Sequence, residues 1–337
     1  MAGAALPRSS RRWSTCSGRR EPMGRRPRPR GPVHDAVLVV DKPAGPTSHD
    51  VVARIRRVVG HTRVGHTGTL DPAATGVLVV CLGRATRLVR FLQAGTKTYA
   101  ATIQLGIETD TQDATGVELA RRDASHLDEH TVCAALTAFQ GHFEQVPPMV
   151  SALKVDGERL HAKARRGETV ARAARPVEVS SLVLESFVGG EVAEVTVLLT
   201  CSAGTYVRTI AHDLGAALGV GGSLASLRRL ANGGFSVDEA ITLEQLDRAD
   251  PDTIVALGVD ALTAVQRTLE VVEVDQEVAR RVVHGGAAPG TGHDGPVALV
   301  RRADQAASAQ LLAIVVDEPS GEHARPELVW TRPEELR

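Results

Sequence analysis

Residues 65–82, GHTGTLDPAATGVLVVCL, join a polar loop punctuated by three glycines to an unbroken apolar run. The run, residues 77–82, is short, rich in valine and preceded by glycine, so it reads as a buried strand rather than a helix. Asp71 therefore sits in a turn at the mouth of a buried strand. An Asp before Pro is a common turn residue, and alone the segment says no more than that. It is not a phosphate-binding loop, because the closing Lys-Ser/Thr is absent. It is not a metal site either, since His61 and His66 have no second acid in register with them.

Around this segment the periodicity alternates between strand and helix. Residues 36–40 read as a strand that runs into the turn 41–48, with Ser48 expected as a helix N-cap. Val51, Val52, Ile55, Val58 and Val59 recur at helical spacing, and Gly60 ends that helix. Residues 85–92 read as a helix. Residues 97–105 alternate like a strand, with Tyr99, Ala101 and Ile103 on one face. Residues 109–116 form a polar loop that lacks the acid pattern of a calcium site. Asp128 opens a helix through Phe139, Pro147-Pro148 breaks the chain, and residues 192–201 form a strand. Helices are expected over 205–218 and 224–230. From about residue 269 short apolar runs (269–274, 297–300, 311–316) separated by Gly-rich turns point to a small β-rich domain. No internal repeat is present.

The chain has 337 residues, 43% of them hydrophobic, enough for one large domain and a small one. Aromatics make up only 3%, so the core must be built from Val, Leu, Ile and Ala. The net charge of −1 excludes a globally basic nucleic-acid binder, yet the charges are unevenly spread. Residues 1–32 hold nine Arg and one acid, residues 33–230 are balanced, and residues 231–337 hold nine basic against nineteen acidic groups. An RNA surface must then be a local patch, and residues 154–175 supply one with seven basic and three acidic side chains; a solvated helix face is the plain alternative. The four Cys are widely spaced, which excludes a disulfide framework or zinc site and fits a reducing cytoplasm. No apolar run is long enough to span a bilayer. The tail 1–32 reads as disordered, or as sequence upstream of a true start at Met23.

Two more residues invite a chemical reading. Arg208 lies near the start of an expected helix, where it is either a surface Arg or a partner that keeps a buried carboxylate ionised. Tyr99, one of two Tyr, is either a core aromatic or a ring on which a base stacks.

In order along the chain, several pieces resemble the bacterial TruB-type tRNA pseudouridine synthases over most of residues 36–240. They are Asp41-Lys42-Pro43 with Gly45 and Thr47-Ser48; Gly65 through Asp71-Pro72 to Leu78; Lys97-Thr98-Tyr99 with Gly106 to Gly116; Val146-Pro147-Pro148 with Ser151-Ala152-Leu153-Lys154; Gly204-Thr205-Tyr206-Val207-Arg208; and Leu227-Arg228-Arg229-Leu230. The chain departs from the family where Val150 and His161 stand in place of frequent tyrosines.

The resemblance implies an α+β catalytic fold around a long, bent, mixed and largely antiparallel sheet with flanking helices, over residues 33–268, with an RNA-gripping arm at about 147–178 and a β-rich PUA-like domain at 269–337. It implies isomerisation of uridine to pseudouridine at position 55 in the T arm of tRNA. Asp71 matches the catalytic aspartate, Tyr99 the base-stacking tyrosine and Arg208 the arginine paired to that aspartate. His66 matches a histidine that helps flip the target, Lys42 and Pro43 a segment behind the site, Asp113 an acid facing the same arginine, and Leu227 an apolar residue near the base. Lys154 belongs to the basic arm. The partner implied is a tRNA T stem-loop, with no cofactor, metal or membrane, and the protein is expected as a cytoplasmic monomer. Two rival readings stand beside this one: a non-catalytic tRNA-binding or tRNA-folding protein, and a hydrolase built on Asp71 and Asp113.

Overall fold

A computed structural model describes residues 35–151, 153–155, 157–160, 163, 166–168, 170–301 and 309–336. The Arg-rich stretch 1–32, Met23 and His161 lie outside them. The strands in chain order are β1 (Ala36–Lys42), β2 (Val64–His66), β3 (Thr75–Leu82), β4 (Lys97–Leu105), β5 (Ile107–Thr109), β6 (Glu118–Arg121), β7 (Gly141–Gln145), β8 (Lys154–Val155), β9 (Glu158–Arg159), β10 (Arg175–Val188), β11 (Ala193–Cys201), β12 (Gly222–Asn232), β13 (Phe235–Ser236) and β14 (Ile241–Thr242). Ten of these form one sheet in the order β14-β1-β3-β12-β4-β11-β10-β7, with β2 added to β3 and β13 to β12. Its pairings are antiparallel except β1 with β14 and β3 with β12, and register shifts in β10 and β12 bend it. The fold class is α+β.

β3 is buried on both faces because each is covered. The amphipathic helix Ser48–Val59 packs Val51, Val52 and Ile55 against Leu78, Val80 and Leu82 on one side. Val77, Val79 and Cys81 meet Leu88, Phe91 and the C-terminal residues Val300 and Ile314 on the other. β4 alternates as its sequence requires, with Tyr99, Ala101 and Ile103 buried toward the helix Val207–Ala217. Downstream, β15 (Glu270–Val274), β16 (Ala288–Pro289), β17 (Pro296–Arg301), β18 (Gln310–Asp317) and β19 (His323–Val329) form a second sheet. Beyond the shared core it is held by three arginines of one segment. Arg84 pairs with Glu335 at 3.0 Å and lies over the Trp330 ring, while Arg87 and Arg90 donate to Val329 O and Glu327 O.

Three local expectations change. Residues 224–230, rich in helix-forming Leu, Ala and Arg, are not a helix but the middle of β12, wedged between β3 and β4; tertiary pairing overrides intrinsic propensity there. The N-cap of Ser48–Val59 is Thr47, which makes a capping box with Asp50, so the Ser48 hydroxyl is free for another use. Residues 85–92 divide into the 3-10 turn Gly83–Leu88 and the short helix Val89–Leu92.

The approach of β3 to β12 depends on Gly76. Its φ is +98°, and a Cβ there would lie 2.1 Å from the Arg229 carbonyl oxygen. Gly76→Ala combines a left-handed backbone penalty with a steric clash, so it should destabilise the protein by roughly 2–5 kcal/mol. Thermal denaturation checks this; a melting temperature within a degree of the parent's contradicts it.

Candidate active site

The Asp71 turn is fastened before any substrate arrives. Ser48 Oγ accepts from Leu70 N (2.9 Å) and donates to Leu70 O (3.1 Å). Ala74 N donates to Asp71 O at 3.1 Å, and Gly45 N donates to Pro72 O at 2.8 Å. From the end of β1, the fully buried Lys42 sends Nζ to three carbonyls: Pro43 O (2.9 Å), Pro72 O (3.1 Å) and Ala74 O (2.6 Å). Burial pushes the Lys42 ammonium down to about 8, with Asp71 opposing that shift and Arg229 adding to it. Three carbonyl acceptors replace water around an ammonium that is still charged at neutral pH.

Arg208 comes from the first turn of the helix Val207–Ala217. The N-cap, Tyr206, makes no side-chain cap bond, but Gln145 pins its backbone, accepting from Tyr206 N (2.8 Å) and donating to Tyr206 O (3.1 Å). The guanidinium is buried and every nitrogen is engaged. Nε meets Asp71 Oδ2 at 3.0 Å, Nη1 donates to Thr111 O at 3.0 Å, and Nη2 donates to Val150 O at 2.8 Å. Asp113 Oδ2 stands 3.5 Å from Nη1, while its other oxygen accepts from Thr111 Oγ1, Thr115 N and Thr115 Oγ1 and so shapes the loop. Asp71 keeps 43% of its side chain exposed, so the pair leaves a carboxylate facing open space.

That space is a cavity of about 510 Å³, within the range of single-ligand sites. Asp71, Tyr99, Arg208 and Leu227 all line it. Its wall also includes Gly68, Lys97, Arg175, Tyr206 and Arg229. Burial raises the Tyr99 hydroxyl pKa, against the opposing influence of the adjacent Arg229, so the phenol is neutral. Lys42, Pro43, His66 and Asp113 are not part of this lining, and Pro43 faces a separate groove with Asp41, Ala44 and Arg228. Lys154 lies on the β8–β9 hairpin, paired through its backbone with Arg159.

Arg229 is the residue the sequence reading passed over. It is 1% exposed, donates through Nε to Val77 O (2.7 Å) and through Nη2 to Gly68 O (3.1 Å), and is the register partner of Tyr99. Residues 227 and 229 share a wall only if this segment is a strand, because a helix would turn them apart. Arg228 points the other way, to Asp41 at 2.8 Å.

His66 ends β2 and meets the His49 ring edge-on at 5.5 Å. Its Nδ1 accepts from Gly68 N at 3.3 Å. Burial first, then His49 and Arg229, push it down to about 4, so it is neutral at pH 7. A base whose folded-state pKa lies below its unfolded value of 6.5 contributes fully above pH 6.5 and loses that contribution as pH falls toward 4. Between pH 7 and 4.5 the melting temperature of His66→Gln should fall roughly 3–8 °C less than the parent's. Parallel falls in the two proteins contradict this.

Comparison with known proteins agrees with the fold and the order of these elements. Residues 56–207 match the TruB family pseudouridylate synthase N-terminal domain, and residues 208–255 match the tRNA pseudouridylate synthase B C-terminal domain. The chain is 50% identical over 270 residues to the tRNA pseudouridine synthase B of Thermobifida fusca (strain YX), covering 79% of this chain and 90% of that one. It is 43% identical over 298 residues to the protein of the same name from Paenarthrobacter aurescens (strain TC1), covering 87% and 94%. Among solved structures, a chain of a Cbf5–Nop10–Gar1 complex superposes with a TM-score of 0.68 at 26% identity, covering 89% of this chain and 86% of that one. The chain belongs to the TruB family of pseudouridylate synthases.

Proposed function

We propose that this protein converts uridine to pseudouridine in tRNA, at position 55 of the T arm. The observation that carries the reading is the exposed face of Asp71, held by Arg208 in a cavity whose wall includes Tyr99. The reaction breaks the N1–C1′ bond of a uridine and joins C1′ to C5 of the same base. Every atom of the substrate is retained and no oxidation occurs, so the stoichiometry calls for no cofactor.

A uridine stacked in folded RNA is out of reach and must be extruded, at a cost of a few kcal/mol. Stacking on Tyr99 recovers roughly 1–3 kcal/mol of it. Arg208 pairs with the Asp71 carboxylate and aims it, with Asp113 beside the same guanidinium. The carboxylate then adds to C6 of the uracil, attacks C1′ to give an ester, or removes the 2′ proton to give a glycal. The Tyr99 hydroxyl, a neutral phenol over the base, is a candidate to relay the C5 proton, passing its own proton on as it accepts that one. Leu227 packs against the base, neutral His66 assists entry, and Lys42 and Pro43 hold the loop from behind. In this reading residues 33–268 are the catalytic domain, the arm at about 147–178 with Lys154 grips a T stem-loop, and residues 269–337 are an accessory domain. The protein acts as a cytoplasmic monomer. Among the described residues no helix is long and apolar enough to cross a membrane, and no cluster of His, Cys, Asp and Glu is arranged to hold a metal.

Incubation with an unmodified T stem-loop tests the proposal. The parent should form pseudouridine at position 55. Asp71→Asn should bind the same RNA within about threefold while its turnover falls by at least ~10³-fold. Turnover by Asp71→Asn, or none by the parent, sinks the assignment. Tyr99→Phe keeps the stacking ring, so a loss of about 10²-fold or more assigns the proton transfer to the hydroxyl. Near-parent activity limits Tyr99 to stacking.

A further inference from the structure

We propose that Arg229 stabilises the negative charge that develops on the pyrimidine while its bond to the ribose is broken. The inference rests on the pseudouridine-forming reading above and adds a residue to it.

Arg229 is a buried cation, 1% exposed. Among the described residues no Asp or Glu oxygen lies within 4.0 Å of its guanidinium, whereas Arg208 has Asp71 and Asp113, and Arg228 has Asp41. Its bonds to Val77 O and Gly68 O orient the group without neutralising it. A charge kept out of water in this way is costly unless something compensates it. The compensation is not a fixed part of the protein: the cavity wall carries Lys97, Arg175, Arg208 and Arg229 against the single carboxylate of Asp71. Lys97, also buried, is likewise satisfied by carbonyls, those of Gln93 and Gly95. The site is therefore built to receive negative charge.

The chemistry supplies that charge at the right place. If Asp71 adds to C6, the electron pair of the C5–C6 double bond moves onto the base and is delocalised to O4. If Asp71 attacks C1′, or takes the 2′ proton, the C1′–N1 bond breaks with its pair on N1, delocalised to O2 and O4. In each route N1–C1′ breaks and C5 joins C1′; the base then gives its C5 proton to a protein group and gains one at N1, and Asp71 is released as its bond to C6 or C1′ breaks or as the 2′ proton it took returns to the sugar. The common feature is an anionic pyrimidine in the cavity. Arg229 lies beside the Tyr99 ring proposed to stack on that base, and both are buried, so a fixed donor there acts strongly on charge present only in the transition state and the intermediate.

The test compares two T stem-loops, one with uridine and one with 5-fluorouridine at the target, in single-turnover reactions of the full chain. Products are separated chromatographically after nuclease digestion; 5-fluorouridine has no C5 proton to lose, so its product is the rearranged base that keeps fluorine at C5, and its rate reports the steps up to C5–C1′ bond formation. Fluorine stabilises negative charge on the base, so a protein lacking Arg229 should be penalised less on that substrate. Arg229→Gln is expected to lose about 10²-fold or more on uridine and about tenfold or less on 5-fluorouridine, with RNA affinity within about threefold of the parent. Arg229→Lys should show an intermediate change. The ratio of the two rates in one preparation is independent of how much of it is folded, and Arg229→Lys carries the comparison if Arg229→Gln does not accumulate. Equal losses on both bases, or a loss confined to affinity as a phosphate contact would give, overturn the proposal. A parent that leaves both RNAs unchanged instead overturns the functional reading beneath it.

Discussion

The contact between Arg208 and Asp71 joins two parts of the chain that share no secondary structure. One partner sits in a turn ahead of β3 and the other in the first turn of a helix that follows β11. Both ends are fixed independently: Lys42, Gly45 and Ser48 hold the turn, and Gln145 holds the helix start. The remaining guanidinium nitrogens reach Thr111 and Val150, so three distant segments converge on one arginine. Its burial makes the arrangement strict, since removing a partner leaves an uncompensated charge away from water. Pre-organisation of this kind lets the exposed carboxylate oxygen act without first reorganising its surroundings.

The central sheet supplies the rest by register. β4 and β12 pair Tyr99 with Arg229, and β12 pairs Arg229 with Gly76 at the start of β3. A ring, a cation and the end of the Asp71 turn thus occupy successive strands at one level of the sheet. The excess of cations around that level suits a substrate that arrives with phosphates and, in the reaction proposed, passes through an anionic base.

Legibility in the sequence followed how local each signal was. The alternation of residues 97–105 placed Tyr99 on a buried face, and β4 has that pattern. The apolar run after Asp71 is a strand buried on both sides, as its composition implied. The order of short motifs carried the family, which matching residues and a shared fold then showed. What stayed hidden depended on neighbours distant in sequence. Residues 224–230 have helical propensity, and only pairing with β3 and β4 makes them a strand; the helical reading separated Leu227 from Arg229 and concealed the latter. The Ser48 cap is a miss of another kind, because the Thr47-x-x-Asp50 capping box is a local signal. β19 contains Pro326 and several charged residues, which resemble a turn until β18 is beside them.

The account's central claim is that one flipped nucleotide is received between Asp71, Tyr99 and Arg208. A crystal structure of the protein with a T stem-loop carrying 5-fluorouridine at the target tests it most directly. The account places the extruded base in the cavity, its ring against Tyr99, with the Asp71 carboxylate at its ribose or C6. A base still stacked within the RNA above an empty cavity, or an RNA seated on another face of the protein, contradicts it.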